Sequence, residues 1–119
     1  MQISLLKSKI HRAVVTQVNL DYIGSISIDE TLMRLSGLHE YEKVDILNIT
    51  NGSRIQTYVI KAEKNSGIIG INGAAAHLID QKDLIIIASY CYLPVKEIHQ
   101  HQPKIIHVNS KNCPITLDK

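Results

Sequence analysis

The sequence contains no Phe and no Trp, and its aromatic content beyond six His is five Tyr. A core must therefore be filled with aliphatic side chains. Ile dominates these, with Val and Leu behind it. β-Branched side chains suit pleated, half-buried surfaces, so a mainly β core is expected. Cysteine is also scarce. Cys91 lies in an apolar run, where a reduced buried thiol is the ordinary state, and with Cys113 it makes neither a disulfide scaffold nor a Cys-X-X-Cys zinc motif.

Charge of one sign is lacking too. The formal net charge is +2, with no Lys/Arg run and no basic stripe interleaved with aromatics, which gives nucleic-acid binding little support. His99, His101 and His107 are loosely spaced and have no carboxylate or thiol cluster beside them, so no metal site is expected. The longest apolar run, about Leu84 to Leu93, falls far short of the ~20 residues that span a bilayer. The first residues lack the apolar stretch of a signal peptide, so a cytoplasmic protein without membrane contact is expected.

What is present fits one domain over residues 1–119, with 45% apolar residues. Ala13–Val18 and Tyr22–Ile28 are expected as strands, the second broken by Gly24, which points to a bend, a bulge or a strained peptide. Asp29 is positioned to cap a short helix over Glu30–Ser36, with Leu32 and Leu35 on one face and Gly37 closing it. Val44–Thr50 and Arg54–Ala62 flank Asn51-Gly52, a turn pair tolerant of positive φ, and so form a hairpin. Ile68–Ile71 is a further pairing candidate, Asn72–Leu78 opens a short helix, and Leu84–Tyr92 is a buried strand. After Pro94 the pattern decays, and residues 95–119 are expected as a mobile tail. Many short strands with one or two helices suggest a closed β-barrel.

Four features could carry chemistry. At Gly24-Ser25 the serine hydroxyl can attack the preceding carbonyl, because glycine leaves the approach bare and the backbone permissive. The ester so formed can eliminate, and the new N-terminal dehydroalanine hydrolyses to a pyruvoyl group. Alone the pair is common, and a turn or bulge is its ordinary explanation. Lys7, Lys9, His11 and Arg12 could hold an anion or could simply charge an edge strand. Arg54 and Tyr58 share a strand face, the first suited to clamp a carboxylate, the second to donate a proton. Asn72-Gly73-Ala74-Ala75-Ala76 leaves backbone N–H groups accessible to an oxyanion, or is plain close packing.

Taken together and in order, Lys9-X-His11-Arg12, Tyr22-X-Gly24-Ser25, Asn51-Gly52-X-Arg54-X-X-Thr57-Tyr58 and Asn72-Gly73-Ala74-Ala75-Ala76-His77 resemble the pyruvoyl-dependent aspartate 1-decarboxylase family, from about Leu6 to Leu93. The resemblance implies a double-psi β-barrel with short helices, assembled as a homotetramer with sites at subunit interfaces. It implies self-cleavage into residues 1–24 and 25–119, and a covalent pyruvoyl group generated from Ser25. The activity implied is decarboxylation of L-aspartate to β-alanine through a Schiff base, feeding pantothenate and coenzyme A synthesis. By the same resemblance Thr57 assists self-cleavage and lies near the substrate, and Tyr58 is the proton donor. Lys9 and Arg54 bind the anion, Asn72 orients the site, and Gly73, Ala74 and Ala75 contact substrate. Whether cleavage is spontaneous or needs a maturation factor stays open. So do a non-catalytic binding barrel and a decarboxylase for a different amino acid.

Overall fold

The chain begins with its longest strand, β1 (Gln2–Val14), and a computed structural model describes residues 1–116. The strands that follow are β2 (Gln17–Asn19), β3 (Ser25–Asp29), β4 (Lys43–Asn48), β5 (Arg54–Ala62) and β6 (Ile69–Asn72). After them come β7 (Leu84–Pro94), β8 (Lys104–Val108) and β9 (Pro114–Ile115). The one α-helix among the described residues, α1, spans Glu30–Ser36. Strands thus make up about half of the chain, and the mainly β expectation holds.

The strands form one sheet in the order β2-β6-β3-β5-β4-β7-β1-β8-β9. Between β2 and β1 the chain itself closes the ring. β1 runs through Val15 and Thr16 directly into β2, and these two residues donate backbone hydrogen bonds to Asp83 (3.0 Å) and Ile69 (2.9 Å). The strand expected over Ala13–Val18 is therefore two strands with a corner between them. Ladders of both senses occur: β3–β5, β2–β6 and β1–β8 are parallel, the others antiparallel. Ile10, Val15, Ile26, Ile28, Val44, Ile46, Val59, Ile69, Ile71, Ile85 and Ile87 fill the interior. Aliphatic branching supplies here the volume that rings supply elsewhere.

The hidden half of β1 has a simple cause. Ser8, Ile10 and Ala13 turn inward while the cations face out, and the register shifts between Ile10 and Ala13. Arg12 sits at that shift with φ +63°, so the extra residue is absorbed and Ala13 returns to the core.

In α1 the Asp29 carboxylate accepts from Thr31 N at 2.8 Å, and Gly37 closes the helix at φ +76°. Asp29 also accepts from the Asn65 and Gly67 amides, both at 2.9 Å, tying the helix start to the β5–β6 loop. The expected apolar face is corrected in one position: Leu32 and Met33 are buried, and Leu35 is exposed.

The expectation of a mobile tail after Pro94 is also corrected. Val95–Gln100 forms a 3-10 turn, and β8 pairs in parallel with β1 from Ser8↔Lys104 to His11↔His107. Asn112, 2% exposed, bonds both backbone groups of Val14 and the Gly67 carbonyl at 2.7–2.9 Å. Residues 117–119 of that expected tail lie outside the described residues. Of the three histidines considered for a metal, His101 Nε2 donates to the Leu6 carbonyl and His107 packs edge-on against His11. No described helix is long and apolar enough to cross a membrane.

Candidate active site

The register of β3 decides what surrounds Gly24-Ser25. β3 starts at Ser25, and its parallel ladder with β5 begins at Ile26↔Val59. Extended back along both strands, this register sets Ser25 level with Tyr58 after one step and Gly24 level with Thr57 after two. There β5 has β4 on one edge only, because its ladder with β3 has not yet begun. The open edge forms a wall. A cavity of about 460 Å³ lies against it, lined by Gly24, Thr57, Tyr58, Asn72, Ala74 and Ala75, with Ile55, Gln56 and Leu78 completing it.

On its other side β3 pairs with β6, and Ser25 stands opposite Asn72. The Ser25 side chain is fully buried. Its Oγ donates to the Ile23 carbonyl at 3.1 Å and accepts from Asn72 Nδ2 at 3.0 Å. The second Asn72 amide proton goes to Ser27 Oγ, also at 3.0 Å. Two bonds thus fix the Ser25 rotamer, one of them to the carbonyl of Ile23, the residue before Gly24. Because Asn72 is occupied in this way, it does not cap the 3-10 turn Gly73–His77 that follows. The first N–H groups of that turn keep no side-chain partner on the cavity side, where Ala74 and Ala75 line the wall.

A bend, a bulge or a strained peptide was expected at Gly24; the backbone bends there, and the left-handed glycine is Gly73, at φ +75°. A Cβ on Gly73 would come within 2.6 Å of Gly24 Cα, 2.8 Å of Gly24 N and 3.1 Å of the Tyr22 carbonyl. Gly73 is thus the floor on which the Gly24-Ser25 junction rests. It is buried and does not line the cavity. Gly24 itself has room: the nearest atom to a Cβ there would be Asn72 O at 4.0 Å. What the missing side chain leaves is an unobstructed carbonyl face.

Two expected site residues lie elsewhere. Arg54 is exposed at the start of β5 and lines an adjoining cavity with Asp45, Ile55, Gln56 and Tyr90, of which Ile55 and Gln56 also line the cavity beside Gly24. Lys9 pairs with Ala88 and Ile105 in the middle of β1 and lines neither cavity. Next to it, His11 is held below its ordinary pKa by burial first, then by the positive charges of Lys9, His107 and Arg12.

Sequence reasoning missed Ile55, Gln56 and Leu78. Alternation places consecutive strand residues on opposite faces. This cavity opens on the edge of β5, so Ile55 through Tyr58 all reach it. The parallel β3–β5 pairing was the missing signal.

A family profile described as aspartate decarboxylase matches residues 1–115. The chain belongs to the aspartate decarboxylase family. Among its relatives is the aspartate 1-decarboxylase of Caldicellulosiruptor bescii, 55% identical over 98% of this chain and 91% of that protein. The Clostridium botulinum (strain Loch Maree) aspartate 1-decarboxylase is 54% identical over 94% of this chain and 88% of its own. Frankia casuarinae aspartate 1-decarboxylase 1 is 56% identical over 91% of this chain and 70% of its own. Among solved structures, a rationally designed double-psi β-barrel, mkDPBB_sym1, is 15% identical, covers 71% of this chain and 96% of its own, and has a TM-score of 0.47.

Proposed function

We propose that this chain cleaves itself between Gly24 and Ser25, and that the pyruvoyl group left at residue 25 serves the decarboxylation of L-aspartate to β-alanine. The observation that carries the reading is the buried, pinned Ser25 hydroxyl next to Gly24, which lines a cavity together with Thr57 and Tyr58. Relatives at 54–56% identity are named for the same reaction.

Maturation starts with a bond from Ser25 Oγ to the Gly24 carbonyl carbon. The Gly24–Ser25 C–N bond breaks, the amine takes the hydroxyl proton, and an ester results. Thr57, beside Gly24 on β5, polarises the oxygen that turns negative during attack. Elimination then removes the Gly24 carboxylate, and water converts the dehydroalanine to the pyruvoyl group and ammonia. The product group has one heavy atom fewer than serine, so it fits the closed space that Ser25 fills. Held there, a pyruvoyl group supplies a carbonyl electron sink for loss of a carboxylate.

The remaining work falls to side chains. The α-carboxylate leaves as neutral CO₂, so a tight ion pair on it would stabilise the ground state and slow the step. Arg54, helped by Lys9, therefore holds the substrate's side-chain carboxylate. Neither cation shares the Ser25 cavity within one chain. This supports a homotetramer in which a neighbouring subunit completes each site. Tyr58 protonates the substrate α-carbon from the cavity wall. The β-alanine formed supplies pantothenate and coenzyme A synthesis.

The test is product formation from L-aspartate by the processed protein. β-Alanine should accumulate, none should form with Ser25→Ala, and L-glutamate should be a poor substrate. Equal turnover of glutamate would redirect the substrate assignment, and turnover by Ser25→Ala would end the pyruvoyl reading.

A further inference from the structure

A second cavity, about 570 Å³, lies between β1, the end of α1 and the segment entering β8. It shares no residue with the cavity beside Ser25. Its charged lining is entirely basic: Lys7, Arg34 and Lys104, with His39 and His101. No carboxylate lines it. Lys7 binds Glu42, outside the lining, at 3.0–3.1 Å and also donates to the Gly37 carbonyl. Arg34 and Lys104 have no ion-pair partner among the described residues.

A buried hydroxyl at the same place has no partner. Ser8 is 1% exposed, and its Oγ makes no hydrogen bond among the described residues. Leaving such a group unpaired costs about 1–3 kcal/mol, so an unpaired hydroxyl on a cavity wall is notable. Ser8 Oγ and Lys104 Nζ lie 3.7 and 3.8 Å from the point a Cβ on Gly37 would occupy. Gly37 closes α1 in the left-handed conformation, and its missing side chain leaves room for the Lys104 stem, whose Cδ lies 3.2 Å from the same point. Met33 and Leu38 supply an apolar wall.

We propose that this cavity is a second ligand site, which binds the phosphate of a small phosphate monoester through Lys104, Arg34 and the Ser8 hydroxyl, with Met33 and Leu38 against its organic part. Several donors converging from different directions suit a tetrahedral dianion better than a planar carboxylate. The leftover hydroxyl finds in the ligand the acceptor it lacks in the fold.

Butyl phosphate is the probe, titrated into the intact protein and followed by phosphorus NMR and calorimetry. Binding should saturate at one ligand per chain. Lys104→Met, a surface change that leaves the fold intact, should weaken it about tenfold or more, and Ser8→Ala should weaken it several-fold. Arg54→Ala should leave it unchanged, which separates this site from the aspartate site. Butyrate and inorganic phosphate should each bind more weakly than butyl phosphate. Absence of saturation, wild-type affinity in Lys104→Met, or loss of binding in Arg54→Ala would each overturn the proposal, and butyrate binding as tightly as butyl phosphate would overturn the phosphate assignment.

Discussion

Gly73 and Asn72 hold the scissile junction between them, one by lacking a side chain and the other by spending its amide on Ser25. Gly73→Ala should be severe. The new methyl would meet the backbone of Gly24 at 2.6 Å, and φ +75° is itself strained for alanine. The expected result is loss of self-cleavage together with about 1–3 kcal/mol of stability, read by intact mass and urea unfolding. Normal cleavage in Gly73→Ala would show that the close approach does not matter. Tyr58→Phe separates maturation from turnover. It keeps the ring that packs near Tyr41 and removes only the hydroxyl. Cleavage should proceed while turnover falls about 10²–10⁴-fold, the range for losing a general acid. Wild-type turnover would remove Tyr58 as the donor.

At the scale of elements, one side chain adds to the β1–β8 ladder in holding the closing segment. Asn112→Ala removes three hydrogen bonds to Val14 and Gly67, and the fold should lose about 2–4 kcal/mol by denaturant unfolding. A loss below a few tenths would show that β8 docks without it. The same strand pair gives a pH dependence. His11, packed on His107 across β1–β8, has a lowered pKa from burial and then from Lys9, His107 and Arg12. The unfolded chain therefore binds the proton more readily, and stability falls as pH drops from the ordinary value of about 6.5 toward the folded value. Glu42 acts in a lower window. Burial would raise its pKa, but the His39 amide and Lys7 outweigh that and lower it. Its contribution is present above about pH 4.3 and fades as pH falls through its folded value. Unfolding midpoints should therefore drop between pH 7.5 and 5.5, and the drop should shrink in His11→Gln. An undiminished drop would move the effect to another group.

Elements with local signals were legible in the sequence: α1 from its Asp29 cap and Gly37 stop, and β5 from the turn before it. β8 was not. Its partner is β1, far away along the chain, and a backbone ladder needs no hydrophobic pattern from a strand whose first residues, Lys104 and Ile105, stay exposed. The same limit applied to the site. The motifs named Gly24, Thr57, Tyr58, Asn72, Ala74 and Ala75, which line one cavity, but Ile55 and Leu78 carried no motif signal and reach the same wall only in the folded chain.

For the whole molecule, the main constraint is that neither Arg54 nor Lys9 lines the cavity beside Gly24 within one chain. An Arg54→Ala protein should cleave itself normally and show a raised KM for aspartate, because its guanidinium is assigned to the substrate and not to the junction. An unchanged KM would sink that assignment. Solution mass should be four times that of the chain, and a monomer with full activity would exclude a site completed by a neighbour.

The most direct test of the central claim is the intact mass of the purified protein after prolonged warm incubation. Two fragments divided between Gly24 and Ser25, the larger blocked to N-terminal sequencing, are predicted. A single uncleaved chain that nonetheless forms β-alanine from L-aspartate would contradict the account.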